Sequence, residues 1–95
     1  MTTEVTNNAA QSRYEIRLDG KLAGFAEYKL TGTKTVFTHT EIDDAFEGHG
    51  LGSTLVVGAL DDVRRSGRRA VPLCPFVKRY VERHPEYQDL VTSEA

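Results

Sequence analysis

Three glycines alternate within six residues of this chain, in a setting where a backbone can bind phosphate. Residues 47–52 read Glu-Gly-His-Gly-Leu-Gly and join a strand-like run, residues 35–42, to an amphipathic run that begins at residue 51. Glycine permits tight turns and close approach of a ligand, and the first turn of a helix presents unpaired N–H groups. This glycine loop is a candidate diphosphate site, although a connection that merely turns explains the same spacing. The candidate binding residues are Gly48, His49, Gly50, Leu51, Gly52 and Ser53.

Two common phosphate-binding motifs do not fit the glycine loop. A nucleoside triphosphate P-loop needs Lys followed by Ser or Thr after its last glycine, and this chain has Ser53 and Thr54 there. The dinucleotide fingerprint needs a glycine where Ser53 stands, and it precedes a long parallel sheet that this chain is too short to contain. The loop is therefore interpreted as a smaller cradle of backbone N–H groups.

Cys74 is a candidate nucleophile. It precedes Pro75, the residue type favoured at the first position of a helix, and a helix start favours the thiolate form of a cysteine. Neighbouring Lys78 or Arg79 would add to this effect. The alternative is an inert buried cysteine, the commoner case. The predicted topology favours a functional role, because Cys74 and the glycine loop follow the carboxyl ends of two parallel strands, the edge where ligands bind.

His39 and Glu41 are candidate general bases. Their separation by two residues places them on one face of the third strand, where either can accept a proton directly or through water. Regular alternation adds Phe37 to that face and puts Thr38 and Thr40 on the other. We slightly favour the alternative interpretation, a mixed and partly solvated strand face.

Apolar periodicity predicts a mixed α/β (α+β) fold that can position these residues. Three strands joined by tight turns indicate an antiparallel meander, with a possible bulge at Gly24. A helix then connects the third strand to a fourth, and such a crossover predicts a parallel pair. A second helix follows and ends before Pro85. The predicted strands cover residues 13–18, 21–30, 34–42 and 69–73, and the predicted helices start at residues 51 and 75.

Length and composition limit the possible functions. A chain of 95 residues forms one domain, expected over residues 13–92, with residues 1–12 as a frayed tail that lacks signal-peptide features. No apolar run approaches the roughly 20 residues that span a bilayer, so we expect no membrane insertion and a cytoplasmic location. A single cysteine excludes an internal disulfide and a cysteine-based zinc site, and no metal is expected.

The charge distribution indicates a local rather than a general anion partner. The formal net charge of −2 argues against nucleic acid. Between residues 61 and 83, however, seven basic residues face three acidic ones. A small polyanion could use this patch, although the solvated faces of two helices explain most of it. The strand at residues 13–18 is a possible edge strand, so the protein is expected to be a monomer or a weak homodimer.

The glycine loop resembles the Gln/Arg-x-x-Gly-x-Gly/Ala loop of the GCN5-related N-acetyltransferases. Residues 71–77 (Val-Pro-Leu-Cys-Pro-Phe-Val) and 83–87 (Arg-His-Pro-Glu-Tyr) are similar to the tail of a small single-domain branch of that superfamily. The resemblance covers about residues 12–92. This chain departs from the superfamily pattern at Glu47, where the superfamily has Gln or Arg. It also lacks the N-terminal helices that commonly shape the acceptor site, and their absence implies a wide acceptor pocket.

This resemblance implies a minimal acetyltransferase fold and acetyl-CoA as co-substrate, with the pyrophosphate of coenzyme A on the glycine loop. It implies either direct attack of an amine on the thioester or a two-step route through an acetylated Cys74. Tyr80 is roughly where the superfamily has a tyrosine that protonates the departing thiolate. Lys78 and Arg79 become candidates for the nucleotide phosphates of the coenzyme. The alternative function is a non-catalytic acyl-CoA-binding or protein-interaction module.

Overall fold

A mixed five-stranded sheet forms the framework of the protein. The structure, a computed structural model, describes residues 2–92. The strands lie in the order β1-β2-β3-β4-β5, and the connections include short 3₁₀ turns. The elements are β1 (Thr3–Asn8), β2 (Arg13–Leu18), β3 (Lys21–Thr31), β4 (Lys34–Ile42), α1 (Leu51–Arg65), β5 (Arg69–Pro72) and α2 (Pro75–Arg83).

The predicted meander and crossover are confirmed. Strands β2, β3 and β4 pair antiparallel, and the turn at Asp19 and Gly20 has both residues at positive φ, as a tight hairpin turn requires. Strand β5 pairs parallel with β4, from Lys34 opposite Arg69 to Phe37 opposite Pro72. Helix α1 makes the connection between these two strands, so the carboxyl ends of β4 and β5 meet at one edge.

Residues 2–12 are not the frayed tail that the sequence indicated. Residues 3–8 form β1, which pairs along its whole length with β2, so β2 is not an edge strand. Val5 packs on Gly58 of α1, where an added Cβ would lie only 2.8 Å from Val5 Cγ1. The hydroxyl of Tyr28 donates a hydrogen bond to Asn7 Oδ1 at 2.6 Å. Pairing with β2, the packing of Val5 and the Tyr28–Asn7 hydrogen bond therefore fix a strand that the polar composition of the segment did not indicate.

Two irregularities change which side chains share a face of the sheet. Between β2 and β3 the extra residue is Ala23, next to the predicted bulge at Gly24. Gly24 instead permits a close strand approach, since its Cβ would lie 2.5 Å from the Glu41 carbonyl oxygen. Between β3 and β4 the extra residue is Thr38. The second bulge reverses the alternation of β4 after Phe37.

Helix α1 covers one face of the sheet and supplies much of the core. It contacts all five strands, and its buried stripe repeats with helical spacing because residues three and four apart share a face. Facing it are apolar side chains of β2, β3 and β4, among them Tyr14, Ile16 and Phe37. The buried residues of α1 are Leu51, Leu55, Val56, Ala59, Leu60 and Val63.

Candidate functional site

Strands β4 and β5 separate at the edge where the candidate residues meet. The last pair is Phe37 with Pro72, and the N–H of Cys74 then donates to the Phe37 carbonyl oxygen at 2.9 Å. Beyond this point the chain turns into α2, while β4 continues for five more residues to Ile42. Within residues 2–92 no strand pairs with residues 38–42 on the β5 side. The backbone of β4 is therefore open along this edge.

The glycine loop presents donors without acceptors. Gly48 and Gly50 have φ of 90° and 68°, the left-handed region that glycine adopts without strain. Gly50 caps α1 without a side-chain hydrogen bond, and the first helical bond runs from the Thr54 N–H to the Gly50 carbonyl at 3.3 Å. In the described part of the chain, no backbone N–H of residues 48–53 has a protein acceptor. These donors and the helix dipole favour an anion.

A depression of about 250 Å³, here called the loop pocket, opens over these donors. Phe76 of α2 forms one wall of it. A Cβ on Gly52 would lie 2.6 Å from Phe76 Cζ, so Gly52 is required for the packing of this ring rather than for a turn. The residues that line the loop pocket are Ile42, Phe46, Glu47, Gly48, Gly50, Leu51, Gly52, Ser53 and Phe76.

A second depression of about 350 Å³, the helix pocket, adjoins the first and shares Ser53 and Phe76 with it. Its walls also include Arg79 and Arg83, one helical turn apart on α2. The structure thus brings predicted Arg79 close to the loop. It places Lys78 on a different depression, beside Leu73 and Glu82. Sequence reasoning missed Arg83, although its spacing of four residues from Arg79 was a usable signal.

Cys74 lies at the start of α2, as predicted, but below the surface. The residue is 3% exposed, and its thiol donates to Thr40 Oγ1 of β4 at 3.3 Å. Its carbonyl oxygen accepts the first backbone bond of α2, from Lys78. Thr40 therefore holds the sulfur at the point where the two strands separate.

His39 and Glu41 share a face of β4, with His39 Nε2 3.5 Å from Glu41 Oε1, but the predicted inclusion of Phe37 on that face is wrong. Phe37 is buried whereas both candidate bases are exposed, because the extra residue Thr38 reverses the alternation. Successive strand residues point to opposite faces, so His39 and Glu41 lie opposite Thr40 and the thiol it contacts. The structure does not bring either candidate base to Cys74.

Tyr80 borders the helix pocket. Its ring stacks on His84, with centroids 3.8 Å apart and planes 12° apart, and His84 Nδ1 donates to the Tyr80 carbonyl at 2.8 Å. Burial, followed by the negative charges of Glu86 and Asp61, raises the pKa of the Tyr80 hydroxyl. The hydroxyl is thus protonated at neutral pH and can act as a proton donor.

Residues 2–92 contain no group of three or more His, Cys, Asp or Glu side chains arranged to hold a metal ion. None of the helices in this part of the chain has both the length and the apolar character needed to cross a bilayer.

A glycine loop with unpaired N–H groups at the carboxyl edge of a parallel strand pair, preceded by an antiparallel meander, is the arrangement of an α/β domain of the acetyltransferase type. The sequence profile of a family described as GCN5-related N-acetyl-transferase matches residues 13–90. The chain belongs to this family.

Relatives and solved structures agree with this assignment. The NATD1 protein of Xenopus tropicalis is 31% identical over 83 residues, which cover 85% of this chain and 76% of the relative. The human NATD1 protein is 29% identical over 83 residues, covering 85% and 74%. The solution structure of a GCN5-like protein from Staphylococcus aureus has a TM-score of 0.72 at 19% identity, covering 97% of this chain and 90% of that one.

A second solved structure contains the coenzyme. The PaiA N-acetyltransferase of Thermoplasma acidophilum, in complex with coenzyme A, has a TM-score of 0.53 at 21% identity and covers 59% of this chain and 37% of that one. These likenesses show that the fold is shared.

Proposed function

We propose that this chain binds acetyl-CoA and transfers its acetyl group to an amine. The observation that carries the proposal is the row of unpaired N–H groups of residues 48–53, which lies at the end of β4 beside the strand end that bears Cys74. A diphosphate matches these donors in charge and size. Membership of the acetyltransferase family and the coenzyme complex of a structural neighbour support the same ligand.

The open edge of β4 suits the rest of the coenzyme. Coenzyme A carries an extended arm with two amides between its diphosphate and its sulfur, and an extended amide chain can pair with a free strand edge. With the diphosphate on the glycine loop, this arm would run along residues 38–42 of β4. The thioester would then arrive where β4 and β5 separate, next to Cys74 and Thr40.

Two routes of transfer fit this placement. In the direct route an amine attacks the acetyl carbonyl, the bond to the coenzyme sulfur breaks, and the departing thiolate takes up the proton that the amine releases. In the two-step route the Cys74 sulfur forms the acetyl bond and coenzyme A leaves as the thiol. An amine then attacks acetyl-Cys74 and restores the free cysteine.

A binding module without turnover is the second candidate. It is favoured by the separation of His39 and Glu41 from Cys74, because among residues 2–92 the thiol has a hydrogen bond to Thr40 and none to a histidine or a carboxylate. A coenzyme site with no adjacent base would hold an acyl-CoA but transfer its acyl group slowly.

Calorimetric titration and intact mass separate these candidates. We expect acetyl-CoA to bind and, in the two-step route, the protein to gain one acetyl group that Cys74→Ala does not gain. Cys74→Ser, which keeps the size of the side chain, controls for packing. Equal acetylation of wild type and Cys74→Ala would exclude Cys74 as acceptor. If Cys74→Ala acetylates amines from a panel of acceptors, the direct route is established. If wild type binds acetyl-CoA but acetylates no amine, the protein is a binding module. If wild type does not bind acetyl-CoA at millimolar concentration, both candidate functions are refuted.

A further inference from the structure

Arg79 and Arg83 are like charges placed together without a counter-ion in the described part of the chain. Both are exposed on α2, four residues apart, and both line the helix pocket. Neither side chain has an ion pair or a hydrogen bond with any residue of 2–92. By contrast, Arg64 and Arg65 of α1 are each paired with an aspartate. Like charges at this helical spacing repel, so the arrangement is stabilised when an anion occupies the pocket.

The chemistry of the helix pocket fits a phosphate monoester attached to a planar group. Two guanidinium groups can each bind phosphate oxygens through paired N–H donors. The pocket also carries the stacked rings of Tyr80 and His84, and Phe76, which is 40% exposed. These aromatic surfaces can pack against a nucleoside.

The loop pocket and the helix pocket lie side by side, as the two phosphate groups of a single ligand would require. Ser53 and Phe76 border both the loop pocket and the helix pocket. In coenzyme A only the ribose and its 5′-methylene separate the diphosphate from the 3′-phosphate. A diphosphate on residues 48–53 therefore places the 3′-phosphate in a neighbouring depression. The helix pocket adjoins the loop pocket and carries two arginines without an ion pair among residues 2–92.

We propose that the helix pocket is the subsite for the 3′-phosphate of coenzyme A and that Arg79 and Arg83 make this chain select the phosphorylated coenzyme. The inference rests on the proposed function, because it takes the glycine loop as the diphosphate site. It adds two specificity-determining residues, one of which the sequence did not indicate. Dephospho-CoA is the matched probe, since it lacks the 3′-phosphate and keeps every group that the loop contacts.

The test is calorimetric titration of wild type, Arg79→Gln, Arg83→Gln and the double variant with coenzyme A and with dephospho-CoA. We expect wild type to bind coenzyme A roughly tenfold or more tightly than dephospho-CoA, as charge-assisted hydrogen bonds to phosphate would give. Each single variant should lose most of that preference, and the double variant should bind both ligands equally. Arg83→Lys, which keeps the charge but not the paired donors, should restore part of the preference.

Arg65→Gln is the matched control, because it removes the same charge from an exposed helical arginine at the far end of α1. Arg65→Gln should keep the wild-type ratio of the affinities for coenzyme A and dephospho-CoA. The inference is overturned if wild type binds the two ligands equally, if the Gln variants weaken both ligands alike, or if Arg65→Gln lowers the ratio as much as Arg83→Gln. Failure of wild type to bind either ligand would instead refute the proposed function, and the inference with it.

Discussion

The two ends of α1 differ in how far the protein itself supplies hydrogen-bond partners. At the carboxyl end, Arg64 donates to both carboxylate oxygens of Asp89, at 2.9 and 3.2 Å, and to the Glu86 carbonyl at 2.8 Å. The Ser66 hydroxyl donates to the Asp62 carbonyl at 2.8 Å. At the amino end, the described residues supply no acceptor for the N–H groups of residues 48–53.

The charges follow the same division. The last turn of α1 carries Arg64 and Arg65, which stabilise the negative end of the helix dipole. The first turn carries no acidic residue, although a carboxylate is favoured there. In the part of the chain that the structure describes, the nearby side chains of Arg79 and Arg83 also have no ion pair or hydrogen bond. Within residues 2–92, the basic patch of the sequence therefore contains two arginines that pair with aspartates, Arg64 and Arg65, and two that have no such partner, Arg79 and Arg83.

Introducing a negative charge at the amino end should produce the largest effect. We expect Gly50→Glu to weaken acetyl-CoA binding by on the order of 100-fold or more, because a carboxylate near a diphosphate at a protein surface costs about 4 kcal/mol per close charge pair. Calorimetric titration measures the change.

Gly67→Glu is the control at the carboxyl end. Gly67 has φ of 72°, close to the 68° of Gly50, and an added Cβ meets nothing within 4 Å at either position. Both substitutions thus carry the same left-handed strain, about 1–2 kcal/mol. If Gly67→Glu weakened acetyl-CoA binding as much as Gly50→Glu, the division between the two ends would not hold.

The middle of α1, away from both ends of the helix, tests how much packing contributes to the free energy of unfolding. Gly58→Ala should lower the free energy of unfolding by about 1–2 kcal/mol, because the added methyl group overlaps Val5 at 2.8–3.1 Å. Acetyl-CoA affinity of the folded protein should stay unchanged. Urea denaturation of Gly58→Ala and of Gly58→Ala with Val5→Ala is the measurement. Recovery of stability in the double variant is expected, and its absence would show that β1 does not rest on α1 through Val5.

The carboxyl half of α1 should respond to alkaline pH. The Tyr87 hydroxyl donates to Asp61 at 2.9 Å, and burial together with this bond raises the pKa of Tyr87 to about 12. Because the folded-state pKa lies above the unfolded value of about 10, this contribution is fully present below pH 10 and is lost as the pH rises through 12.

Tyr87→Phe should therefore cost about 1 kcal/mol at pH 8, the usual worth of one hydrogen bond, and should reduce the decline in stability above pH 10. Urea unfolding at several pH values measures both effects. Tyr14, whose hydroxyl donates to Asp62 at 2.7 Å and whose pKa is also raised by burial, accounts for a remaining decline in the variant. An identical alkaline profile for wild type and Tyr87→Phe would contradict the assignment.

The smallest effect is expected from an exposed ion pair. Arg65 contacts Asp62 at 3.2 Å with its side chain 72% exposed, so solvent screens the attraction. Arg65→Gln should change the free energy of unfolding by no more than about 0.5 kcal/mol and leave acetyl-CoA affinity unaltered. A larger loss in the free energy of unfolding, measured by chemical denaturation, would mean that the Arg64 contacts alone do not stabilise the carboxyl end of α1.

Local patterns predicted the features that depend on neighbouring residues. The turn at Asp19 and Gly20, the helical stripe of α1 and the Pro75 helix start all follow from backbone preferences within a few positions. Strand β1 was missed because its segment carries one apolar residue, Val5, and its stability comes from β2 and Gly58, which lie far along the chain. Local propensity holds no information about such contacts.

The candidate site also contains some residues that the sequence could place and others that it could not. Sequence spacing placed Cys74 and the glycine loop at adjacent strand ends, since a β-α-β crossover fixes that geometry. It could not place His39 and Glu41, because the bulge at Thr38 arises from pairing with β3 and reverses the side-chain alternation. It also could not separate Lys78 from Arg83, because which face of α2 borders the loop depends on how two helices pack.

By itself the sequence determined the order of elements from β2 to α2, the tight turn at Asp19 and Gly20 and a cysteine at a helix start, because each is set by the conformational limits of single residues and short repeats. Only the tertiary structure decided that β1 belongs to the sheet, that the candidate bases lie away from the thiol, and that Arg79 and Arg83 have no counter-ion among residues 2–92. The physical reason is that register, burial and charge pairing are properties of contacts between distant segments.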